Sequence, residues 1–219
     1  MQVKKDEVKA AIMNAAEQEF FVHGYQNASL RKIVKMAGTT LGNFYNYFEN
    51  KEKLFEALVA EEYQQFVYFL QHHDQMHHFN QSMENFANPL ELRPLLMEML
   101  NGVEVLFSNR LVLLLESSKG TRFEKAKVDL LELLKEHFCE HFSGNTHEHY
   151  PEKLPEQSLI HQGTKEQFAE ILAEQFLTGI VLVIRKNEDY ETKKKLIVDY
   201  MLFYIMGVWG LFHNAANKR

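Results

Sequence analysis

The sequence predicts an all-α protein: a compact N-terminal group of three short helices joined to a longer helical body. Three observations carry that expectation. The 219 residues include only 10 Gly and 4 Pro, whereas average usage of about 12% for the two together would give roughly 26. So few turn formers suit long helices and not a many-stranded sandwich or barrel. Apolar residues recur at helical spacing, and residues that cap helices stand at the ends of those patterns. The hydrophobic fraction of 46% and charged fraction of 25% are those of a folded globular chain and exclude disorder as the main state.

The first helix is expected over residues 6–22. Val8, Ala11, Ile12, Ala15 and Ala16 form one apolar face, with Phe20 a turn further on. Asp6 and Glu7 suit the positive end of its dipole, and Gly24 stands where a left-handed cap would end it. Ser29 is a candidate N-cap for a second helix, in which Leu30, Ile33, Val34 and Ala37 fall at i, i+3, i+4 and i+7. Gly38 ends that helix. Thr40 is a candidate N-cap for a third, and Asn50 for a long fourth that begins KEKLFEALV. Two short helices, 30–37 and 41–47, are thus separated by Gly38-Thr39-Thr40, which is helix-turn-helix spacing.

Further along, breaks are expected at Asn88-Pro89, Arg93-Pro94 and Lys119-Gly120, with a long loop over 143–163. The last two helices each carry doubled apolar stripes. On 191–213, Leu196, Tyr200, Phe203, Gly207 and Gly210 are spaced 4, 3, 4, 3, and Ile197, Met201, Tyr204, Val208 and Leu211 repeat this one position along. On 165–186 one stripe holds Ala169, Ala173, Phe176, Ile180 and Val183. Two adjacent stripes let one helix pack on its own domain and on a partner at once. The uncharged run 200–212 covers about 20 Å as a helix, short of the ~30 Å of a bilayer core. A buried or interface helix is expected there, with no membrane partner. The N-terminus has no apolar stretch of a secretory signal. The single cysteine, Cys139, cannot close a disulfide within the chain, which fits a cytoplasmic location.

Charge is unevenly spread. The net charge is −6, yet residues 1–53 carry 8 Lys/Arg against 6 Asp/Glu, and 54–219 carry 16 against 24. A mildly basic head on an acidic body is compatible with phosphate contact by the head alone. The expected division is therefore 1–53 and 54–219.

Over residues 8–58 the chain resembles the N-terminal DNA-binding domain of TetR-family transcriptional regulators. The landmarks are Ala16 and Phe20, Gly24-Tyr25, Ser29, Ile33, Ala37-Gly38, Gly42, Phe44-Tyr45, Tyr47-Phe48 and Lys51-Glu52. The resemblance implies that the third helix enters the major groove. By position, Thr40, Leu41, Gly42, Asn43, Tyr45, Asn46 and Tyr47 line or flank that surface. Asn43 can donate and accept, which suits adenine N6/N7. Tyr45 and Tyr47 can reach phosphates, as can Ser29 and Lys51 at helix N-termini. Phe44 and Phe48 are expected to anchor the helix to the core. Leu41 stands where many members have Lys, so one contact is lost.

The resemblance further implies a homodimer closed by four helices, a palindromic double-stranded operator, and a small-molecule effector that releases a repressor. No cofactor and no catalytic activity are expected. The dimer seam is expected at Phe176, Ile180, Val183, Tyr200, Phe203, Gly207 and Gly210. The effector, expected to be lipophilic, is assigned to Met97, Phe107, Phe138 and Phe142, because Met and Phe tolerate varied ligands. Met76, Met83, Phe86 and Met99 belong to the same apolar set.

The 11 His pose a separate question. His73 and His77 stand at i and i+4, and His137, Glu140 and His141 match the H-x-x-E-H pattern of zinc hydrolases. That reading is the alternative function. It lacks a third ligand with a landmark, and a pattern of three residues arises readily in a chain this rich in His and Glu. Solvated histidines are the expected state, ahead of metal at His73, His77, His137 or His141.

Overall fold

The computed structural model describes residues 2–72, 89–143 and 161–213. Their regular structure is helical, and no strand occurs among them. The helices are α1 (Gln2–Asn27), α2 (Leu30–Met36), α3 (Leu41–Phe44), α4 (Lys51–His72), α5 (Pro89–Met99), α6 (Asn109–Glu116), α7 (Ala126–Ser143), α8 (Lys165–Lys186) and α9 (Tyr190–His213). Short 3₁₀ turns cover Leu100–Gly102, Glu104–Phe107 and Gln162–Thr164. The expected loop over 143–163 lies mostly outside the described residues, as do His73, Met76, His77, Met83 and Phe86.

The chain groups into two compact units. One holds Met1–Phe66 with Ser108–Lys127, the other Val67–Phe107 with Val128–Arg219. The contacts thus assign the first part of α4 and all of α6 to the N-terminal unit. Five consecutive residues of α6, Leu111–Leu115, are buried. Its apolar surface is therefore too broad for a one-sided helix.

In the first unit the core is built from Ile12, Ala16, Phe20, Ile33, Phe44, Leu54, Phe55 and Leu58, all fully buried. Phe20 and Phe55 meet edge to face at 5.1 Å, and Tyr25 meets Phe55 at 5.4 Å, a favoured aromatic geometry. Gly24 breaks α1 near its end, as its residue type suggests. It takes φ 67° and ψ 167° and bends the chain, after which a further helical turn closes with Ala28 N–H donating to Gly24 O at 3.1 Å. An L side chain is strained at that φ. Asn50 caps α4 as expected, its Oδ1 accepting from Lys53 N–H at 2.8 Å. Arg110 of α6 joins two carboxylates, Glu17 of α1 at 3.0 Å and Glu62 of α4 at 3.8 Å. Burial pushes the Glu62 carboxyl above the usual carboxylate range, and Arg110 offsets this only in part.

In the second unit α9 packs on α5 and α8. Pro94, read from the sequence as a break, lies inside α5. The buried side chains of Leu92, Leu96 and Met99 hold one face of the helix through it, so packing overrides the local cost of proline. α8 is long and apolar enough to cross a membrane by length and composition. It also buries Ala169, Ala173, Phe176, Leu177, Ile180, Val181 and Ile184 inside the unit, as a core helix does.

The two stripes of α9 part as the spacing suggests. Ile197, Met201 and Tyr204 are buried, whereas Phe203 is 72% exposed and Gly207 is exposed. The expected seam on α8 needs correction. Phe176 and Ile180 are buried within their own chain: Phe176 stacks on Tyr200 at 5.7 Å and meets Tyr204 at 5.2 Å. Ile180 has no accessible surface and Phe176 little, so neither offers a partner a broad face. Val183 and Tyr200 are half-buried, and the outward apolar residues of α8 are Ile171 and Leu182. Gly210 lies in α9, but its surroundings fall outside the described set.

Candidate nucleic-acid interface

The turn between α2 and α3 is set by backbone chemistry. Gly38 adopts φ 65°. Thr39 N–H reaches back to Val34 O at 2.9 Å and Gly38 N–H to Lys35 O at 3.2 Å, the paired bonds of a Schellman helix end. Thr40 then starts α3, with extended backbone and its hydroxyl accepting from Asn43 N–H at 3.2 Å. The helix expected over 41–47 keeps α geometry only through Phe44. Asn46 N–H and Tyr47 N–H bond three residues back, to Asn43 O at 3.1 Å and Phe44 O at 2.9 Å. The segment therefore tightens into 3₁₀-like turns.

Phe44 and Phe48 anchor this segment as expected. Both are buried, with rings stacked at 5.7 Å. Around them Thr40, Gly42, Tyr45 and Asn46 are exposed, and Leu41, Asn43 and Tyr47 are half-buried. A Cβ on Gly42 would meet nothing within 4 Å, so no contact inside the chain requires glycine there. α2 adds exposed Arg31, Lys32 and Lys35, cations absent from the sequence-based set.

Three expected contacts are differently employed. Asn43 uses both polar atoms of its side chain internally: Nδ2 donates to Thr39 Oγ1 at 2.8 Å, and Oδ1 accepts from Asn46 Nδ2 at 3.1 Å. Ser29 occupies the N-cap position of α2 without a side-chain cap bond. Its backbone N–H donates instead to Glu19 Oε1 at 3.0 Å. Glu19 is buried in α1 and lies 3.6 Å from His23 Nε2. No local pattern reveals it, because the bond joins residues ten apart.

Lys51 is the clearest correction. Its ammonium donates to the carbonyls of Tyr25 at 2.7 Å, Ala28 at 3.1 Å and Gln26 at 3.4 Å, and it lies 4.5 Å from the centre of the Tyr25 ring. All three donors of an ammonium are thereby used. Desolvation lowers its pKa. The carbonyls it meets end α1, and that is where a cation is favoured. Lys51→Met is therefore expected to lower the stability of the first unit by about 2 kcal/mol and to leave the salt dependence of any DNA binding unchanged. Urea denaturation and binding isotherms at several salt concentrations check the two halves. A slope lower by about one unit would restore Lys51 as a phosphate contact.

The segment after α6 holds this region from the other side. Tyr25 N–H donates to Ser117 O at 2.9 Å. Arg122 pairs with Glu56 at 2.7 Å, and its backbone N–H donates to Glu52 at 3.3 Å. The end of α1 and the start of α4 are both tied to residues 117–122.

The residues singled out for an effector do not all share one set of neighbours. Phe107 meets Tyr190 at 5.3 Å, whereas Phe138 meets Phe176 at 6.1 Å and Tyr204 at 6.0 Å. Met97 is half-buried. The side chains of Phe142 and His141 lie outside the described set, although α7 includes both positions. His137 and Glu140 are on α7, half-buried and exposed. Among the described residues no group of three or more His, Cys, Asp or Glu is placed to hold a metal ion.

Comparison with known proteins matches this region. The profile of bacterial regulatory proteins of the tetR family covers residues 12–58. An uncharacterized HTH-type transcriptional regulator, YdgC of Bacillus subtilis, is 39% identical over 61 residues, which are 28% of this chain and 31% of that protein. The HTH-type transcriptional regulator TtgR of Pseudomonas putida is 32% identical over 96 residues, 43% of this chain and 42% of that protein. The chain thus spans about a third to two fifths of the length of these relatives. A solved structure, NalD, the secondary repressor of the MexAB-OprM multidrug efflux pump in Pseudomonas aeruginosa, is 20% identical over 96% of this chain and 98% of its own, with a TM-score of 0.45. That whole-chain likeness is too loose to transfer any property. The helix-turn-helix geometry agrees with the match over residues 12–58, a segment similar to the bacterial regulatory proteins of the tetR family.

Proposed function

We propose that this chain is a DNA-binding transcriptional regulator: a cytoplasmic repressor that binds a palindromic duplex operator as a homodimer and is released by a small lipophilic effector. The observation that carries the reading is α3 and the turn after it. Phe44 and Phe48 are sunk in the core, while Thr40, Gly42, Tyr45 and Asn46 stand outward. Glycine at 42 lets a groove wall approach closely, and no internal contact demands it. The exposed cations of α2 suit the phosphates beside that groove. Residues 1–53 are the proposed DNA-binding part. Residues 54–219 are the proposed effector and dimerisation part, with Met97, Phe107, Phe138 and Phe142 as the residues proposed for the effector. The acidic body favours a lipophilic cation. Effector binding would bias α4 and change the separation of the two heads, by preferring one of two arrangements.

Selection from a pool of randomised duplexes tests the reading. The expected product is an inverted repeat whose half-sites are about one helical turn apart, ~34–36 Å, bound with steep salt dependence. Retention of duplexes without enrichment of any sequence would overturn it. A zinc-dependent hydrolase built on His137, Glu140 and His141 finds no support in the family match or among the described residues.

A further inference from the structure

We infer that Asn46 is the base-reading amide of this head and that Asn43 and Thr39 are positioning residues that hold it. The inference rests on the DNA-binding reading above and deepens it.

Three polar side chains form a relay along the outer edge of the helix-turn-helix. Thr39 Oγ1 accepts from Asn43 Nδ2 at 2.8 Å, and Asn43 Oδ1 accepts from Asn46 Nδ2 at 3.1 Å. The backbone repeats the connection: Asn43 N–H is held by Thr40 Oγ1 and Asn46 N–H by Asn43 O. Asn43 is half-buried and has both side-chain polar atoms tied. Asn46 is exposed and uses only one amide hydrogen inside the chain. A carboxamide has two N–H donors and a carbonyl acceptor, so Asn46 retains one donor and its acceptor. That pair is the complement of adenine N7 and N6–H in the major groove.

The tightened turn after Phe44 explains why the reading residue comes late. In a continuing α-helix the amide of residue 46 would bond to the carbonyl of residue 42. Here it bonds to Asn43 O, and the two asparagines, three residues apart, also meet through their side chains. A flexible amide would lose rotamer entropy on meeting a base. An amide already held by a neighbour loses less, so the relay pre-organises the reader.

The test uses the full chain and a duplex that it selects from a randomised pool. Affinity is measured on that duplex and on each single-base-pair variant. Asn46→Ala is expected to relax one position per half-site, with discrimination there falling roughly 10- to 100-fold. Asn43→Ala is expected to weaken discrimination at that same position by a few-fold and to add nothing in an Asn46→Ala background. Thr39→Val should resemble Asn43→Ala, and Thr39→Ser, which keeps the hydroxyl, should restore discrimination. A merely structural role would lower affinity on every duplex alike and would not respect residue 46. The inference is overturned if Asn43→Ala relaxes a position that Asn46→Ala leaves intact, or if Asn46→Ala costs the same on all variants. If the unmodified chain enriches no sequence, the regulator reading itself falls and the base reader with it.

Discussion

A chain carrying Gly207→Trp is expected to sediment as a folded monomer and to bind its operator about 100-fold more weakly or worse. The expectation combines the structure of one chain with the demands of DNA recognition. Gly207 is exposed, and a Cβ built there meets nothing within 4 Å, so a side chain leaves this position without a backbone clash among the described residues. The expected loss is between copies. One turn earlier Phe203 is 72% exposed on the same stripe, in a helix whose other stripe buries Ile197, Met201 and Tyr204. An aromatic side chain left in water is an interface signal. Two heads joined by such a seam read two half-sites together, and specific binding typically exceeds non-specific binding by 10³-fold or more. A single head loses most of that margin. Phe203→Glu should act in the same way through charge instead of bulk. Sedimentation velocity with an isotherm on the selected duplex decides. A dimer of ordinary affinity in both variants would place the seam elsewhere.

Gly179→Ala is expected to lower the stability of the second unit by about 2–3 kcal/mol. The added Cβ would lie 2.2 Å from both Cζ and the hydroxyl oxygen of Tyr200, far inside van der Waals contact. A tyrosine ring could ordinarily swing away, but this one is held on several sides. It stacks on Phe176 at 5.7 Å with planes 10° apart and meets Tyr204 edge-on at 5.1 Å. Its hydroxyl donates to Gln175 O at 2.6 Å. Burial raises the phenol pKa far above the usual tyrosine range, in keeping with a group withdrawn from water. The methyl must therefore push α8 and α9 apart or break the aromatic stack. Urea denaturation should show a lower midpoint with an unchanged slope. Tyr200→Leu in the same chain should recover part of the loss, because it removes the atoms that collide. Equal midpoints for Gly179→Ala and the unmodified chain would show that the helices yield at no cost.

Local rules were legible in the sequence where the partner lies within one turn. Thr40 and Asn50 cap α3 and α4 as their residue types suggest. Gly38 takes the positive φ expected of a helix end, and Phe44 and Phe48, one turn apart, share a buried face. The same reading failed where a distant group competes. Ser29 stands at the N-cap of α2 as expected, yet its side chain makes no cap bond and its backbone N–H donates to Glu19 of another helix. Lys51 looks like a phosphate ligand, yet carbonyls about 25 residues away hold it. Pro94 looks like a break, yet buried leucines carry the helix past it.

By itself, then, the sequence determined the helical character of the described residues, the helix-turn-helix and the likeness of residues 12–58 to the tetR family. Each depends on periodicity and on contacts close along the chain. Tertiary structure alone decided which doubled stripe faces inward, and so removed Phe176 and Ile180 from the proposed seam. It alone placed α6 with the N-terminal unit and tied Lys51 to carbonyls at the end of α1. The physical reason is common to these cases. A side chain's type states what it can bond to, but which of several competent partners it meets depends on elements brought together only when the chain packs.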